Sequence, residues 1–258
     1  SAGDISFTVP GVGSGGNAGV TGATRIGNAA SGDIIFSGAN ANAYNFGGAL
    51  TVTSNGGAGA FQFTGADPTL AAGGAVTFTE GSGTDDTLVL ADLKDLTITT
   101  ASANANITLP NIDGTAGDGN DGTDLTILAG TGNVSVKSID TDINDLRIDG
   151  TTITLTGSIT TAAHNPGSAD PASIDINGAA VIGAGITLTS GNGTVDFSGT
   201  VDSDNGENRA LTIVSGSGAT AINGAVGTTD ALGNLTINAA GTGAITLSTV
   251  GADAAAGA

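Results

Sequence analysis

The sequence contains no cysteine, no methionine and no tryptophan, and only 5 of its 258 residues are lysine or arginine. Without cysteine, disulfide frameworks, zinc–thiolate sites and thiol catalysis are excluded. The 24 acidic residues give a net charge of −19, which repels phosphates and anionic lipids. We therefore expect no nucleic acid among the partners. No apolar run approaches the ~18 residues that a membrane helix requires, so we expect no membrane insertion either.

What the sequence has in excess is glycine, with 45 residues, whereas proline contributes only 5. The glycines follow no three-residue period, which excludes collagen. Most of the acids are aspartates, which, like asparagine, accept hydrogen bonds from nearby backbone and favour turns. Intrinsic disorder is an alternative, because the net charge is high and aromatic residues are few. Against disorder, 39% of the residues are hydrophobic and the β-branched ones are regularly placed.

A short motif recurs along the chain, in which a polar residue, most often threonine, separates two apolar ones. Each copy is typical of a β-strand with both apolar side chains on one face. Glycine, asparagine, aspartate or serine flanks nearly all copies, which indicates turns. Copies begin at Leu50, Val76, Leu96, Ile107, Leu125, Val134, Leu146, Ile153, Ile174, Ile186, Val195, Leu211, Leu235 and Ile245.

The spacing of the copies indicates a repeating coil. They come in pairs, and pairs follow each other at 21 residues (Leu125 to Leu146), 28 (Leu146 to Ile174), 25 (Ile186 to Leu211) and 24 (Leu211 to Leu235). Two short strands in such an interval are the length of one coil of a β-solenoid. We predict an all-β, right-handed parallel β-helix of about 10–11 coils. A β-sandwich, which also uses short strands with frequent turns, is the alternative.

We predict one elongated domain over residues 1–258, with a glycine-rich portion at 1–30, the repeats at 31–250 and a tail at 251–258. Six of the seven phenylalanines, and the one tyrosine, lie in the first 78 residues. This distribution predicts a better-filled core at the N-terminal end. The alternative is an aromatic groove for a ligand, or an end that docks another subunit.

The stretch from Gly193 to Leu247 resembles the β-strand repeats of large bacterial surface and secreted proteins. These include filamentous-haemagglutinin-like exoproteins and autotransporter-type passenger domains. The residues that carry the resemblance are Gly193–Asp202, Asn208–Ile213, Gly218–Gly227 and Ala231–Ile237, with looser copies at Ser31–Phe36 and Gly47–Val52. The resemblance implies an extracellular or cell-surface β-solenoid that serves as a stalk, an adhesin or a filament. It implies no catalytic residues.

Calcium is the one cofactor to which the residues point, and none is certain. Four carboxylates and an amide lie within twelve residues, and oxygen ligands on a glycine-rich turn suit Ca²⁺. The candidate ligands are Asp113, Asp118, Asn120, Asp121 and Asp124. The pattern matches neither an EF-hand nor a repeat-in-toxin nonapeptide, so a solvated acidic loop is the alternative. A second acidic segment runs from Asp202 to Glu207.

We expect a non-catalytic structural protein, either a surface adhesin stalk or a self-assembling filament subunit. Its open sheet edges favour head-to-tail self-association, and other surface components are the alternative partners. A calcium-stabilised adhesion module is a second hypothesis. A third is a protein that binds or cleaves acidic polysaccharides, by analogy with other β-helices. The few basic residues and the scarcity of tryptophan and tyrosine disfavour this third hypothesis.

Overall fold

The structure is a computed structural model. It describes residues 5–9, 18–20, 22–28, 33–38, 43–54, 60–64, 67–79, 87–90, 95–114, 123–140, 142–162, 172–239 and 243–251. All regular secondary structure in these ranges is β-strand, in 25 strands that we number β1–β25 in chain order. None of these ranges contains a helix long and apolar enough to cross a membrane.

The strands form three parallel stacks, and the chain visits each stack in turn before it begins the next layer. The first stack consists of a five-stranded and a four-stranded sheet, joined by isolated bridges from Ile112 to Ile139 and from Ile139 to Ile159. Its strands are β1 (Ile5–Val9), β4 (Ile34–Gly38), β7 (Phe61–Phe63), β10 (Thr87–Leu90), β13 (Asn111–Gly114), β17 (Ile159–Thr161), β19 (Ile186–Ser190), β22 (Ala210–Gly216) and β24 (Asn234–Ala239).

The second and third stacks belong to one sheet of 16 strands. The second stack contains β2 (Ala18–Val20), β5 (Ala43–Phe46), β8 (Thr69–Ala72), β11 (Leu96–Thr99), β14 (Thr123–Leu128) and β20 (Asn192–Phe197). The third contains β3 (Thr24–Asn28), β6 (Leu50–Ser54), β9 (Val76–Thr79), β12 (Ile107–Leu109), β15 (Val134–Val136) and β21 (Val201–Ser203). Longer strands run through both stacks: β16 (Ile143–Leu155), β18 (Ala172–Ile182), β23 (Thr220–Val226) and β25 (Ile245–Val250).

The strand register confirms the predicted β-solenoid. Leu125 lies beside Leu146, Leu146 beside Ile174, and Leu211 beside both Ile186 and Leu235, which are the spacings read from the sequence. Every strand pair in the described ranges is parallel. This excludes the antiparallel β-sandwich. The right-handed sense of the coil stays a prediction.

One detail of the predicted coil is wrong, because a layer contains three strand segments rather than two. The overlooked segments lie mainly in the first stack, where Asn111–Gly114 and Ile159–Thr161 lack the full motif. Neighbouring layers impose the extended conformation on these weak sequences, since each backbone must pair with the layers on either side. The strands β1–β3 also extend the stacks into the glycine-rich N-terminal portion.

The core is a continuous column of apolar side chains enclosed by the three stacks. Alternation along the strands buries every second side chain, as in β7 and β14. The aromatic residues Phe36, Tyr44, Phe61, Phe63 and Phe78 are all buried in this core. For these residues the structure confirms the prediction of a better-filled N-terminal core rather than an aromatic groove.

Glycines stack at the corner between the second and third stacks. Gly150, Gly178, Gly199 and Gly224 occupy this corner in successive layers. A Cβ atom added to any of the last three would collide with the carbonyl group of the glycine one layer before it. The close approach of the backbones therefore requires residues without a side chain.

Candidate functional site

Of the five candidate calcium ligands, the two that the structure describes lie on different stacks. Asp113 is in β13 of the first stack, and Asp124 is in β14 of the second. Asp118, Asn120 and Asp121 lie outside the described residues. Neither the calcium site nor its occupancy is tested by the geometry, so the site stays a prediction. Within the described residues, there is no group of three or more histidine, cysteine, aspartate or glutamate side chains that could hold a metal ion.

Each of the two described aspartates lies among other carboxylates. Partial burial raises the pKa of Asp113, and the charges of Asp140 and Asp142 raise it further. Burial is also the largest cause of the rise at Asp124, where the pKa reaches about 6, and Asp95 adds to it. Both groups therefore carry a proton more readily than an exposed aspartate does.

Asp124 belongs to an aspartate ladder along the second stack, formed by Asp67, Asp95, Asp124 and Asp145. The carboxylate of each one accepts a hydrogen bond from the backbone N–H of the next, at 3.4 Å for Asp67 to Asp95 and at 3.1 Å for the other two steps. The ladder ends at Ser173, whose backbone N–H donates to Asp145 Oδ1 at 2.8 Å. These side chains join successive layers outside the strand hydrogen bonds.

The sequence analysis overlooked this ladder, although the signal is present. Three of the four aspartates directly precede a copy of the strand motif, as in Asp95-Leu96, Asp124-Leu125 and Asp145-Leu146. Because the motif marks equivalent places in successive coils, a polar residue at a fixed position before it lies beside the equivalent residue of the next coil. Asparagines do the same elsewhere: the side chains of Asn104, Asn106, Asn111 and Asn192 accept from backbone N–H groups one layer later.

The second acidic segment borders an open groove of about 420 Å³ on the third stack. Asp202 Oδ1 accepts hydrogen bonds from the backbone N–H groups of Thr228 and Thr229, at 2.9 and 3.0 Å. Asp204 Oδ1 lies 3.3 Å from Arg209 Nε, and Glu207 pairs with the same guanidinium at 3.5 Å. The carboxylates of this segment thus hold the backbone at Thr228 and Thr229 and the side chain of Arg209 in place.

A hydrogen-bonded network lies on the outer surface of the second stack. The guanidinium of Arg147 donates to both oxygens of Asp149, at 3.1 and 2.8 Å. Asn177 Nδ2 bridges Asp149 and Asp175 in the next layer, at 3.0 and 2.9 Å. The hydrogen bond to Asp149 is the main reason why the pKa of Arg147 lies above its ordinary value. Again the side chains connect one layer to the next.

Among the residues whose burial the structure describes, the large apolar side chains in contact with solvent are those of β25. Ile245, Leu247 and Val250 of β25 are 49%, 38% and 60% exposed. They occupy register positions at which the preceding layer places Thr220, Ile222 and Val226, all of which are buried. Solvent-exposed apolar side chains grouped in this way are typical of a surface that another layer or a partner covers.

Comparison of the chain with protein-family models, with curated proteins and with solved structures finds no match. The fold itself, a β-solenoid of stacked parallel strands, follows from the register. Taken together, the described polar side chains provide hydrogen bonds between layers, and β25 presents exposed apolar side chains.

Proposed function

We propose that this chain is a non-catalytic structural part of an extracellular or cell-surface protein, in which a β-solenoid rod serves as an adhesin stalk or a filament subunit. The observation that carries the proposal is the unbroken parallel register of the second stack from β2 to β25. A continuous stack gives an elongated molecule, because each layer adds ~4.8 Å along the axis.

The side chains support the same function. Threonine, asparagine and aspartate face outwards in register, and between residues 67 and 177 the Asp67–Asp145 ladder and the Arg147–Asp149–Asn177 network tie neighbouring layers together. Repeated contacts between neighbouring layers make stability a sum over the rod rather than the property of one centre. The resemblance of Gly193–Leu247 to filamentous-haemagglutinin-like and autotransporter-type repeats agrees with a surface location.

The shape of the molecule in solution tests the proposal. Small-angle scattering and negative-stain images are expected to show an elongated particle whose long axis matches the stacked layers at ~4.8 Å each. A variant that lacks residues 146–173, the interval from Leu146 to its neighbour Ile174 in the next layer, should be shorter by ~4.8 Å and still fold. A compact globule would contradict the rod. Release of products from acidic polysaccharides would contradict the non-catalytic part of the proposal.

A calcium-stabilised adhesion module is a second candidate function, favoured by the carboxylates around Asp113 and Asp124. A divalent cation bound beside either carboxyl would offset the repulsion of Asp113 by Asp140 and Asp142, or that of Asp124 by Asp95. The melting temperature is then expected to rise with Ca²⁺ and fall with EDTA, and Asp113→Asn should reduce the difference. A melting temperature that does not respond to EDTA would remove this candidate.

A further inference from the structure

Asparagine followed by glycine is a pair in which the side chain can react with the backbone of its own chain. Because glycine has no Cβ atom, its backbone nitrogen can approach the carbonyl carbon of the preceding side chain without obstruction. The chain contains five such pairs, and the structure describes four of them: Asn177-Gly178, Asn192-Gly193, Asn205-Gly206 and Asn223-Gly224. The pair itself is the same in all four, so the fold decides which of them reacts.

Three of the four pairs belong to strands, and a hydrogen bond to another layer holds each of their asparagine side chains. The three are Asn177 in β18, Asn192 in β20 and Asn223 in β23. Asn177 Nδ2 donates to Asp149 at 3.0 Å, and Asn223 Nδ2 donates to Asp196 at 2.8 Å. Asn192 Oδ1 accepts the backbone N–H of Ser217 at 3.3 Å. A reaction at any of these side chains would break a contact between layers.

The backbone at two of these strand pairs is also tightly packed. A Cβ atom added to Gly178 would lie 2.0 Å from the carbonyl oxygen of Gly150. One added to Gly224 would lie 2.1 Å from the carbonyl oxygen of Gly199. Neither glycine can therefore turn its nitrogen towards the asparagine side chain without displacing a neighbouring layer.

The fourth pair, Asn205-Gly206, lies in the turn between β21 and β22. The backbone N–H of Glu207 donates to the carbonyl oxygen of Asp204 at 2.9 Å and closes this turn. Asn205 and Gly206 are exposed, with φ values of 30° and 74°, and no atom lies within 4 Å of a Cβ atom added to Gly206. Within the described residues, neither the Asn205 side chain nor the Gly206 N–H forms a hydrogen bond. Here nothing opposes the approach of the nitrogen to the side chain.

We propose that Asn205 is a site of spontaneous deamidation in the folded chain, whereas the strand asparagines are protected. The nitrogen of Gly206 attacks Cγ of Asn205, the N–Cγ bond forms and the Cγ–Nδ2 bond breaks. The proton of the Gly206 N–H leaves with Nδ2 as ammonia, and a succinimide ring remains. Water then opens the ring at Cγ, which yields aspartate, or at the main-chain carbonyl carbon, which yields isoaspartate. Water is the one co-reactant, and the step does not depend on the proposed rod function.

The reaction would change the charge of the groove on the third stack. Asn205 lines this groove of about 420 Å³ together with three carboxylates, those of Asp202, Asp204 and Asp230. Deamidation adds a fourth carboxylate to the lining and changes the net charge of the chain from −19 to −20. The modified groove therefore attracts cations more strongly than the original one does.

Peptide mapping by mass spectrometry tests the proposal. The full chain is incubated at mildly alkaline pH and then digested after arginine and lysine. The peptide Ile148–Arg209 contains Asn177, Asn192 and Asn205, so its fragments compare three pairs in one molecule. Deamidation at Asn205 is expected to be at least about tenfold faster than at the other two, because a strand must first open locally. Circular dichroism before and after incubation verifies that the chain stays folded.

The unfolded chain and one variant serve as controls. In urea, the three asparagines should deamidate at similar rates, because no layer protects any of them. Asn205→Gln retains a side-chain amide but lengthens the side chain, so that the succinimide ring cannot form. This variant should lose the fast reaction and leave the rates at Asn177 and Asn192 unchanged.

The remaining outcomes would overturn the proposal. Equal rates at the three asparagines of the folded chain would do so, as would a faster reaction at Asn177 or Asn192 than at Asn205. A rate at Asn205 that falls on folding as much as the other two would show that the turn protects this residue as well as a strand does.

Discussion

The aromatic region of the solenoid, residues 33–79, and its polar region, residues 123–226, fill one interior column in different ways. In the aromatic region, Phe36 and Phe63 occupy successive layers with parallel rings whose centroids are 4.7 Å apart. By register, the same column of the first stack reaches Thr161 and Ser190 in the polar region. One backbone frame therefore accepts rings or hydroxyl groups at the same place.

Two of the buried hydroxyl groups of the polar region have partners that depend on nearby turns. Ser190 Oγ donates to the carbonyl oxygen of Gly193 at 2.7 Å, across the turn from β19 to β20. Thr220 Oγ1 donates to Ser215 Oγ at 3.0 Å. Rings stabilise the interior by the apolar area they remove from water, whereas these hydroxyls fix the path of the chain. The two regions therefore share their strand pairing but differ in how the interior side chains contribute to stability.

Truncation of a ring should have the largest effect. Phe63 is fully buried and contacts Phe36, Tyr44 and Phe78 at ring-centroid distances of 4.7, 6.4 and 6.4 Å. Phe63→Ala is expected to lower the free energy of unfolding by about 3–5 kcal/mol, because a cavity remains. Denaturant titration measures the change. Phe63→Leu is the control and should cost less, since Leu90 already occupies the next layer. Equal losses in both variants would contradict a packing role for the ring.

In the polar region, the corresponding weak point is the backbone corner. Gly199→Ala places a Cβ atom against the carbonyl group of Gly178, which cannot move without shifting a whole layer. We expect a loss of about 2–3 kcal/mol in the free energy of unfolding, as for overpacked sites. Gly185→Ala is the matched control, because no atom lies within 4 Å of the added Cβ. A neutral Gly199→Ala would show that the glycines do not hold the corner.

The sequence predicts the parallel solenoid because stacking places like residues beside like. The interval from Leu125 to Leu146 and that from Leu211 to Leu235 are both register steps in the structure. A motif that repeats at the coil length predicts a strand and also the strand that pairs with it in the next layer. Burial of Phe36 and Phe63 follows from the same alternation.

What the sequence did not predict depends on neighbours in other layers. Asn111–Gly114 is a strand because Thr87–Leu90 pairs with it, not because of its own residues. The aspartate ladder was overlooked because aspartate before a strand also suits an ordinary turn. The exposure of Val250 depends on the absence of a described layer above it, which no local pattern encodes.

Neutralising one rung of the aspartate ladder should stabilise the polar region at neutral pH. Burial, aided by Asp95, raises the pKa of Asp124 to about 6 in the folded chain, against about 3.9 when unfolded. Its ionisation therefore opposes folding above pH 6, and stability is expected to rise as the pH falls from 7 to about 4. Asp124→Asn keeps an oxygen for the N–H of Asp145 and should raise the free energy of unfolding at pH 7 by about 1–2 kcal/mol, a value discounted for partial exposure.

The pH dependence separates this explanation from a general gain in stability. The benefit of Asp124→Asn should vanish at pH 4, where the native carboxyl is protonated, and remain at pH 7. Asp33→Asn changes a carboxylate of the aromatic region that accepts the backbone N–H of Ala60 at 2.9 Å, and it serves as the control. An Asp124→Asn gain that is equal at both pH values would contradict the assignment.

The smallest expected effect concerns a hydroxyl group in the region of rings. Within the described residues, the Tyr44 hydroxyl is buried and has no hydrogen-bond partner, and burial raises its pKa. Tyr44→Phe keeps the edge-on contact with Phe36, at 5.4 Å, and removes the unpaired group. The free energy of unfolding should increase by about 1 kcal/mol, because a buried polar group without a partner is costly. Thr161→Val makes the same test in the polar region, where Thr161 Oγ1 is also unpaired among the described residues. If both variants gain stability, an unpaired buried hydroxyl group is destabilising in both regions. The regions then differ only in how many buried hydroxyl groups form a hydrogen bond at a nearby turn. A loss in Thr161→Val alone would instead indicate that hydroxyl groups of the polar column work together.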